Sequence, residues 1–115
     1  PLSDPTPLQS PVPFRRDDSL VGQIVQVDHF GNLVTNISAA ELVLFLGTGR
    51  PEVQVGRLSA VGLHRIYADV EEGRPLALIN SSNLLEIAVN LGRASEYVGL
   101  EPGEIVGSVV TVTRI

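Results

Sequence analysis

Hydrophobic and polar positions alternate over several short segments of this chain, which is the pattern of half-buried β-strands. Residues 20–28 are rich in β-branched side chains and predict a first strand, and the alternation over residues 32–38 predicts a second. Only residues 29–31 lie between them, and Gly31 can adopt the positive φ that such a tight connection requires. We therefore expect two strands joined by a short turn.

Further along the chain, the pattern changes between helix, turn and strand signals. Ser38 followed by Glu41 fits a capping box and predicts a short helix over residues 39–45. Turn residues then separate the remaining segments. These segments are a loosely alternating stretch at 53–70, a hairpin of 76–80 with 84–90, a second short helix within 92–104 and a last strand over 105–115.

Short strands with turn signals between them, and only two short helices, indicate an all-β barrel or sandwich. Residues 1–19 contain five of the eight prolines and show no periodicity, so we interpret them as an extended, proline-rich linker or arm. Regular structure is expected to begin at Leu20. The chain lacks an initiating Met, and we expect it to be a piece of a longer protein.

Composition excludes several classes of function. The 115 residues carry a net charge of −5 and no lysine, which argues against nucleic acid as a partner. No segment is long and apolar enough to span a bilayer, and nothing indicates secretion, so we expect a cytoplasmic protein with no membrane partner. Cysteine is absent and His29 and His64 stand alone, so we expect no metal site.

The segment 27–38, VDHFGNLVTNIS, has two possible interpretations. Asp, Gly and Asn are ordinary turn residues, so the segment can be a connection between strands and nothing more. Alternatively, Phe30 offers a ring for stacking and Asn32 offers an amide donor and acceptor to a purine edge. Asp28 can also bind a cationic amine through a charge-assisted hydrogen bond.

The segment 79–86, INSSNLLE, is similarly ambiguous. Its Asn and Ser residues are typical of a turn. They can also surround a carboxylate, with the hydroxyls of Ser81 and Ser82 and the backbone N–H groups of the turn as donors.

Taken together, these segments resemble a known family. The resemblance rests on GQIVQVDHFGNLVTNIS at 22–38, the NS and LEIAV residues within 80–89, and the GL and PGE residues within 99–104. In this order they are similar to the C-terminal domain of the S-adenosylmethionine hydrolase family. This adenosine-forming family is also called SAM hydroxide adenosyltransferase and is related to fluorinase and chlorinase. The resemblance extends from about Val21 to Val112.

The resemblance implies a closed or partly closed Greek-key β-barrel that follows an N-terminal α/β catalytic domain, which this chain lacks. It also implies a homotrimer in which ligand binds between the barrel of one subunit and the N-terminal domain of its neighbour. S-adenosylmethionine would be the substrate, with no cofactor, and water would release adenosine and L-methionine. The catalytic residues of the family lie on the N-terminal domain, so no residue here is predicted to be catalytic.

Matched position by position, the resemblance assigns Phe30 and Asn32 to adenine. Tyr67 matches a further aromatic residue at the adenine, and the backbone around Leu91 matches a segment that hydrogen-bonds the adenine edge.

At the other end of the substrate, Asp28 and Ser81 match residues near the methionine amino and carboxylate groups. Ser82 and Val34 stand where halogenating relatives have an arginine and a bulky aromatic residue, which favours the water-using branch. A SAM-dependent halogenase and a stand-alone barrel that binds a partner without catalysis are the alternatives.

Overall fold

The structure is a computed structural model that describes residues 12–115. Most of the predicted arm, residues 1–11, lies outside this range. Within it the chain forms eight strands and two α-helices, together with single 3-10 turns at Tyr67–Asp69 and Ala94–Glu96. The elements are β1 (Phe14–Arg16), β2 (Ser19–Val27), β3 (Leu33–Ser38), α1 (Ala39–Leu46), β4 (Pro51–Val55), β5 (Leu58–Val61), β6 (Pro75–Ile79), β7 (Leu84–Val89), α2 (Pro102–Ile105) and β8 (Val109–Arg114).

The strands form one antiparallel sheet in the order β5-β4-β8-β2-β3-β7-β6, and β1 pairs with β2. The two ends of this sheet approach each other just after β5, where the backbone N–H of His64 donates to the carbonyl of Ala77 at 2.9 Å. The sheet is therefore a nearly closed barrel. This confirms the predicted all-β barrel with two short helices. No helix within residues 12–115 has the length and hydrophobicity needed to cross a membrane.

The capping box predicted for α1 is present. The Ser38 hydroxyl accepts from the Glu41 N–H at 3.1 Å, and the Ser38 N–H donates to the Glu41 carboxylate at 2.9 Å. These two bonds pair backbone N–H groups that the first turn of a helix leaves unsatisfied. The helix buries Leu42 and Phe45 against the barrel and ends at Gly47.

Two boundaries differ from the sequence prediction. Regular structure begins before Leu20, because β1 pairs with β2 through partners such as Phe14 and Val21. All three β1 residues are exposed, so backbone pairing forms this strand and no hydrophobic alternation marks it. The last strand starts at Val109 rather than at residue 105. The residues before it form α2, which starts at Pro102 within a capping box of Glu101 and Glu104, so Ile105 is helical.

Side chains of β3 and β7 divide between the two faces of the sheet, one toward the barrel core and one away from it. Leu33 and Ile87 are register partners that belong to the barrel core. Because side chains alternate between the two faces of a strand, the next pair of partners, Val34 and Glu86, points outward. A second, smaller apolar cluster formed by Leu76, Leu78 and Ala88, with Val70 packed against it, lies apart from this core.

Candidate ligand-binding site

A surface groove with a volume of about 610 Å³ lies where the β2–β3 turn, the end of β7 and the segment between β5 and β6 meet. It is lined by Phe30, Asn32, Tyr67, Val89, Leu91, Gly92 and Arg93. Four of the predicted site residues are therefore in one place, although they come from three separate parts of the sequence.

The β2–β3 turn is built around the carboxylate of Asp28. Its Oδ1 atom accepts from the backbone N–H groups of Phe30 and Asn32, each at 2.9 Å. The Asp28 N–H donates to the Asn32 carbonyl at 3.0 Å, and Gly31 has a φ of 80°. This arrangement leaves the Phe30 side chain 69% exposed at the groove. Asp28 thus shapes the turn with one of its two carboxylate oxygens, and it is not among the residues that line the groove.

Asn32 is the buried polar residue of the groove, with only 4% of its surface exposed. Its side-chain Nδ2 donates to the Tyr67 hydroxyl at 2.9 Å. Tyr67 comes from the segment between β5 and β6 and is exposed. Sequence alone placed Tyr67 only through a loose alignment, whereas this hydrogen bond joins it directly to Asn32.

The opposite wall of the groove follows β7. Leu91 is 78% exposed and takes a positive φ of 56°, which turns the chain sharply after the strand. Glycine is required next, because a Cβ atom at Gly92 would lie 2.9 Å from the Val89 Cγ1 atom. Val89 and Gly92 were missed as lining residues, and the glycine directly after Leu91 was the signal that could have found them.

Arg93, also missed, ties this wall to the β2–β3 turn. Its guanidinium donates to the carbonyl of His29 at 3.2 Å, and the N–H of Ser95 donates to the carbonyl of Gly31 at 3.0 Å. Residues 93–95 therefore hold the turn that carries Phe30 through two hydrogen bonds. Its position before ligand binding is fixed by contacts that are distant in sequence.

Ser81 and Ser82 lie elsewhere, in the turn between β6 and β7, where both are exposed. The Asn80 side chain organises this turn, because its Oδ1 atom accepts from the N–H groups of Ser82 at 2.9 Å and Leu84 at 3.1 Å. The length of β7 separates the turn from the groove by about 17 Å, at roughly 3.3 Å for each residue of a strand. The structure therefore does not bring the two serines into the groove.

Glu86 lies on β7 between the serine turn and the groove, and sequence reasoning did not single it out. It is only 7% exposed, and its Oε1 atom accepts from the Asn80 Nδ2 at 3.0 Å. The one ion pair within residues 12–115 joins Arg93 and Glu96, so Glu86 has no cationic partner in that range. Its position as an acidic residue within the otherwise apolar strand β7 was the signal in the sequence that could have identified Glu86.

The groove is suited to binding a flat, partly apolar group. Two aromatic side chains, Phe30 and Tyr67, provide π-faces, and the amide of Asn32 provides hydrogen-bonding groups between them. Ligand sites of this kind combine apolar walls with a few placed polar groups. The fold and the groove together define a β-barrel domain with an aromatic-lined surface groove.

Comparison with known proteins identifies the family of this domain. Residues 22–107 match the model of the family described as SAM hydroxide adenosyltransferase C-terminal domain, and the chain belongs to that family. The resemblance to this family that the sequence showed is thereby confirmed.

Two relatives are each named (R)-S-adenosyl-L-methionine hydrolase. The protein from Thermus thermophilus is 34% identical over 92 residues, covering 80% of this chain and 33% of the relative. The protein from Salinispora tropica is 33% identical over 107 residues, covering 90% of this chain and 39% of the relative. The chain thus spans between 33% and 39% of the length of these relatives.

Solved structures agree on the fold. A crystal structure of an uncharacterized conserved protein from Thermotoga maritima aligns with a TM-score of 0.75 and 29% identity, over 93% of this chain and 40% of that one. A conserved hypothetical protein from Thermus thermophilus aligns with a TM-score of 0.58 and 30% identity, over 80% of this chain and 34% of that one.

Proposed function

We propose that this chain is the substrate-binding C-terminal barrel of a hydrolase that converts S-adenosylmethionine and water to adenosine and L-methionine. The observation that carries the proposal is the convergence of Phe30, Asn32, Tyr67 and Leu91 on one groove. These residues supply what an adenine requires: faces for stacking, an amide at the base edge and exposed backbone beside it.

The rest of the substrate would extend from the groove along β7. The Ser81–Ser82 turn lies at the far end of that strand, and its hydroxyl and backbone N–H groups suit a carboxylate. Asp28 has a carboxylate oxygen that its turn does not use. Because the amino and carboxylate groups of methionine share one carbon, we propose Asp28 and the serine turn as alternative anchors for the amino-acid end within one subunit. In this arrangement the barrel holds the adenine and the amino-acid end of one extended ligand at separate points.

The proposed reaction depends more on positioning the nucleophile and the substrate than on general acid catalysis. Attack of water on the 5′ carbon breaks the bond to a sulfonium. The sulfur leaves as a neutral thioether that needs no proton, and the attacking water releases one proton as adenosine forms. The rate then depends on aligning the nucleophile with that bond while both ends of the substrate are held. The groove-lining side chains offer binding groups, so the residues that position water belong, in our proposal, to an N-terminal domain contributed by a neighbouring subunit of a homotrimer.

A product assay tests the proposal. The full-length protein, incubated with S-adenosylmethionine in halide-free buffer, should release adenosine and L-methionine in equal amounts. Parallel reactions with chloride or fluoride should give no halogenated nucleoside. A halogenated product would instead identify a halogenase, and the absence of all products would favour a binding module without catalysis.

The isolated barrel provides a second test. Residues 1–115 alone should produce no adenosine at any enzyme concentration at which the full-length protein is active. Turnover by the isolated chain would show that the barrel contains the catalytic residues, which would contradict the division of roles proposed above.

A further inference from the structure

The Asn32 amide is held in place before any ligand arrives. Its main chain is bound into the Asp28 turn by a 2.9 Å hydrogen bond, and its side chain is bound to the Tyr67 hydroxyl at the same distance. With 4% of its surface exposed, Asn32 has little room to rotate. The orientation of this amide is therefore a property of the protein rather than of the ligand.

The bond to Tyr67 determines which atoms the amide can present. Nδ2 uses one of its two N–H groups on the hydroxyl, so the amide can present to a ligand its carbonyl oxygen Oδ1 and one remaining N–H. An amide oxygen only accepts hydrogen bonds. A ligand group that meets it must therefore be a donor, such as the exocyclic amino group at position 6 of a purine.

We infer that Tyr67 is a positioning residue that sets purine selectivity, by orienting Asn32 so that the site favours 6-aminopurine nucleosides over 6-oxopurine nucleosides. The inference rests on the proposed function for the assignment of this groove to a nucleoside. The inference goes beyond that function because it gives the Tyr67 hydroxyl a role that is distinct from stacking by the Tyr67 ring.

The physical basis is the cost of an unsatisfied polar contact. Adenine can pair with both groups of the amide, with its 6-amino group on Oδ1 and its N7 on the remaining N–H. A 6-oxopurine such as hypoxanthine presents an oxygen in place of that amino group, so in the same pose two acceptors would face each other. A site built to hydrogen-bond one group rejects an analogue that lacks it, because buried polar atoms are then left unpaired. One such loss corresponds to roughly a tenfold or larger change in affinity.

The hydroxyl can be removed without disturbing the barrel. Tyr67 is 41% exposed and lies outside the β-strands. The backbone N–H of Val70 donates to the carbonyl of Tyr67 at 3.2 Å, and this local bond does not involve the Tyr67 side chain. Tyr67→Phe keeps the ring that would stack on a base and deletes only the contact with Asn32.

The test measures dissociation constants for adenosine and inosine by titration calorimetry, using the full-length protein and its Tyr67→Phe variant. The unaltered protein should prefer adenosine by about tenfold or more, and the variant should lose most of that preference. Tyr97→Phe is the matched control, because Tyr97 is similarly exposed, at 45%, and does not line the groove. It should retain the full preference and the melting temperature of the unaltered protein. Tyr67→Phe should stay folded but melt somewhat lower, because the buried Asn32 amide loses its acceptor.

Three outcomes would overturn the inference. The first is a Tyr67→Phe variant with an unchanged ratio of the two constants, and the second is an unaltered protein that prefers inosine, as expected if the amide were held the other way round. The third is a failure to bind either nucleoside. The product assay is independent: a protein that does not hydrolyse S-adenosylmethionine yet shows the Tyr67-dependent ratio would disprove the proposed reaction and leave the selectivity intact.

Discussion

Replacing Phe30 with alanine separates binding from folding more cleanly than any other change at the groove. Phe30 is 69% exposed in the free domain. Within residues 12–115 its one ring contact is an edge-on approach to His29, with centroids 5.4 Å apart. Most of its surface is already in contact with water, so deleting it removes little burial from the folded state. We expect the free energy of unfolding to change by less than about 0.5 kcal/mol, as for exposed positions in general.

The effect on binding should be much larger. Stacking of a nucleobase on an aromatic ring contributes roughly 1–3 kcal/mol, measured by substitution with alanine. Phe30→Ala should therefore weaken adenosine binding by about 5-fold to 150-fold, at 1.4 kcal/mol for each factor of ten. Phe30→Leu should give an intermediate loss, because it restores apolar contact without a flat face.

Titration calorimetry with adenosine, combined with thermal melting, checks both halves of this prediction. Phe14→Ala is the control, since Phe14 is also exposed, at 47%, but belongs to β1 and does not line the groove. Equal adenosine affinity in Phe30→Ala and the unaltered protein would refute our reasoning, and so would a large fall in melting temperature.

Three further predictions concern the same region. Asn32→Ala should weaken adenosine binding by roughly 1–3 kcal/mol, measured by calorimetry, because the base edge loses its hydrogen-bonding partner; unchanged affinity would make Asn32 a turn residue only. Glu86→Ala should destabilise the domain by about 1–3 kcal/mol in urea denaturation, because the Asn80 amide loses its acceptor. Glu86→Gln keeps an acceptor oxygen and should cost less, and equal losses would argue against that reason. Gly31→Ala should destabilise by at least about 1 kcal/mol in the same assay, because φ is 80° and a Cβ would lie 2.7 Å from the Arg93 Cβ; no loss would show that the turn can rearrange.

The sequence by itself determined those features that depend on residues close together in the chain. The α1 capping box requires only Ser38 and Glu41, three positions apart, and it forms as predicted. The turn that presents Phe30 is likewise fixed by Asp28, whose side chain bonds to N–H groups two and four residues later. Such bonds form with little loop-closure entropy, and so local pattern is sufficient to predict them.

Only the tertiary structure decided how these pieces combine into a site. Tyr67 meets Asn32 across 35 positions, and Arg93 meets His29 across 64, so neither contact leaves a local pattern in the sequence. Both depend on β3 lying beside β7 in the sheet, an order set by burial of the whole core rather than by any one segment. The same order puts the serine turn at the opposite end of β7 from the groove. The residue types were readable from the sequence, while the distances between them came from packing of the barrel.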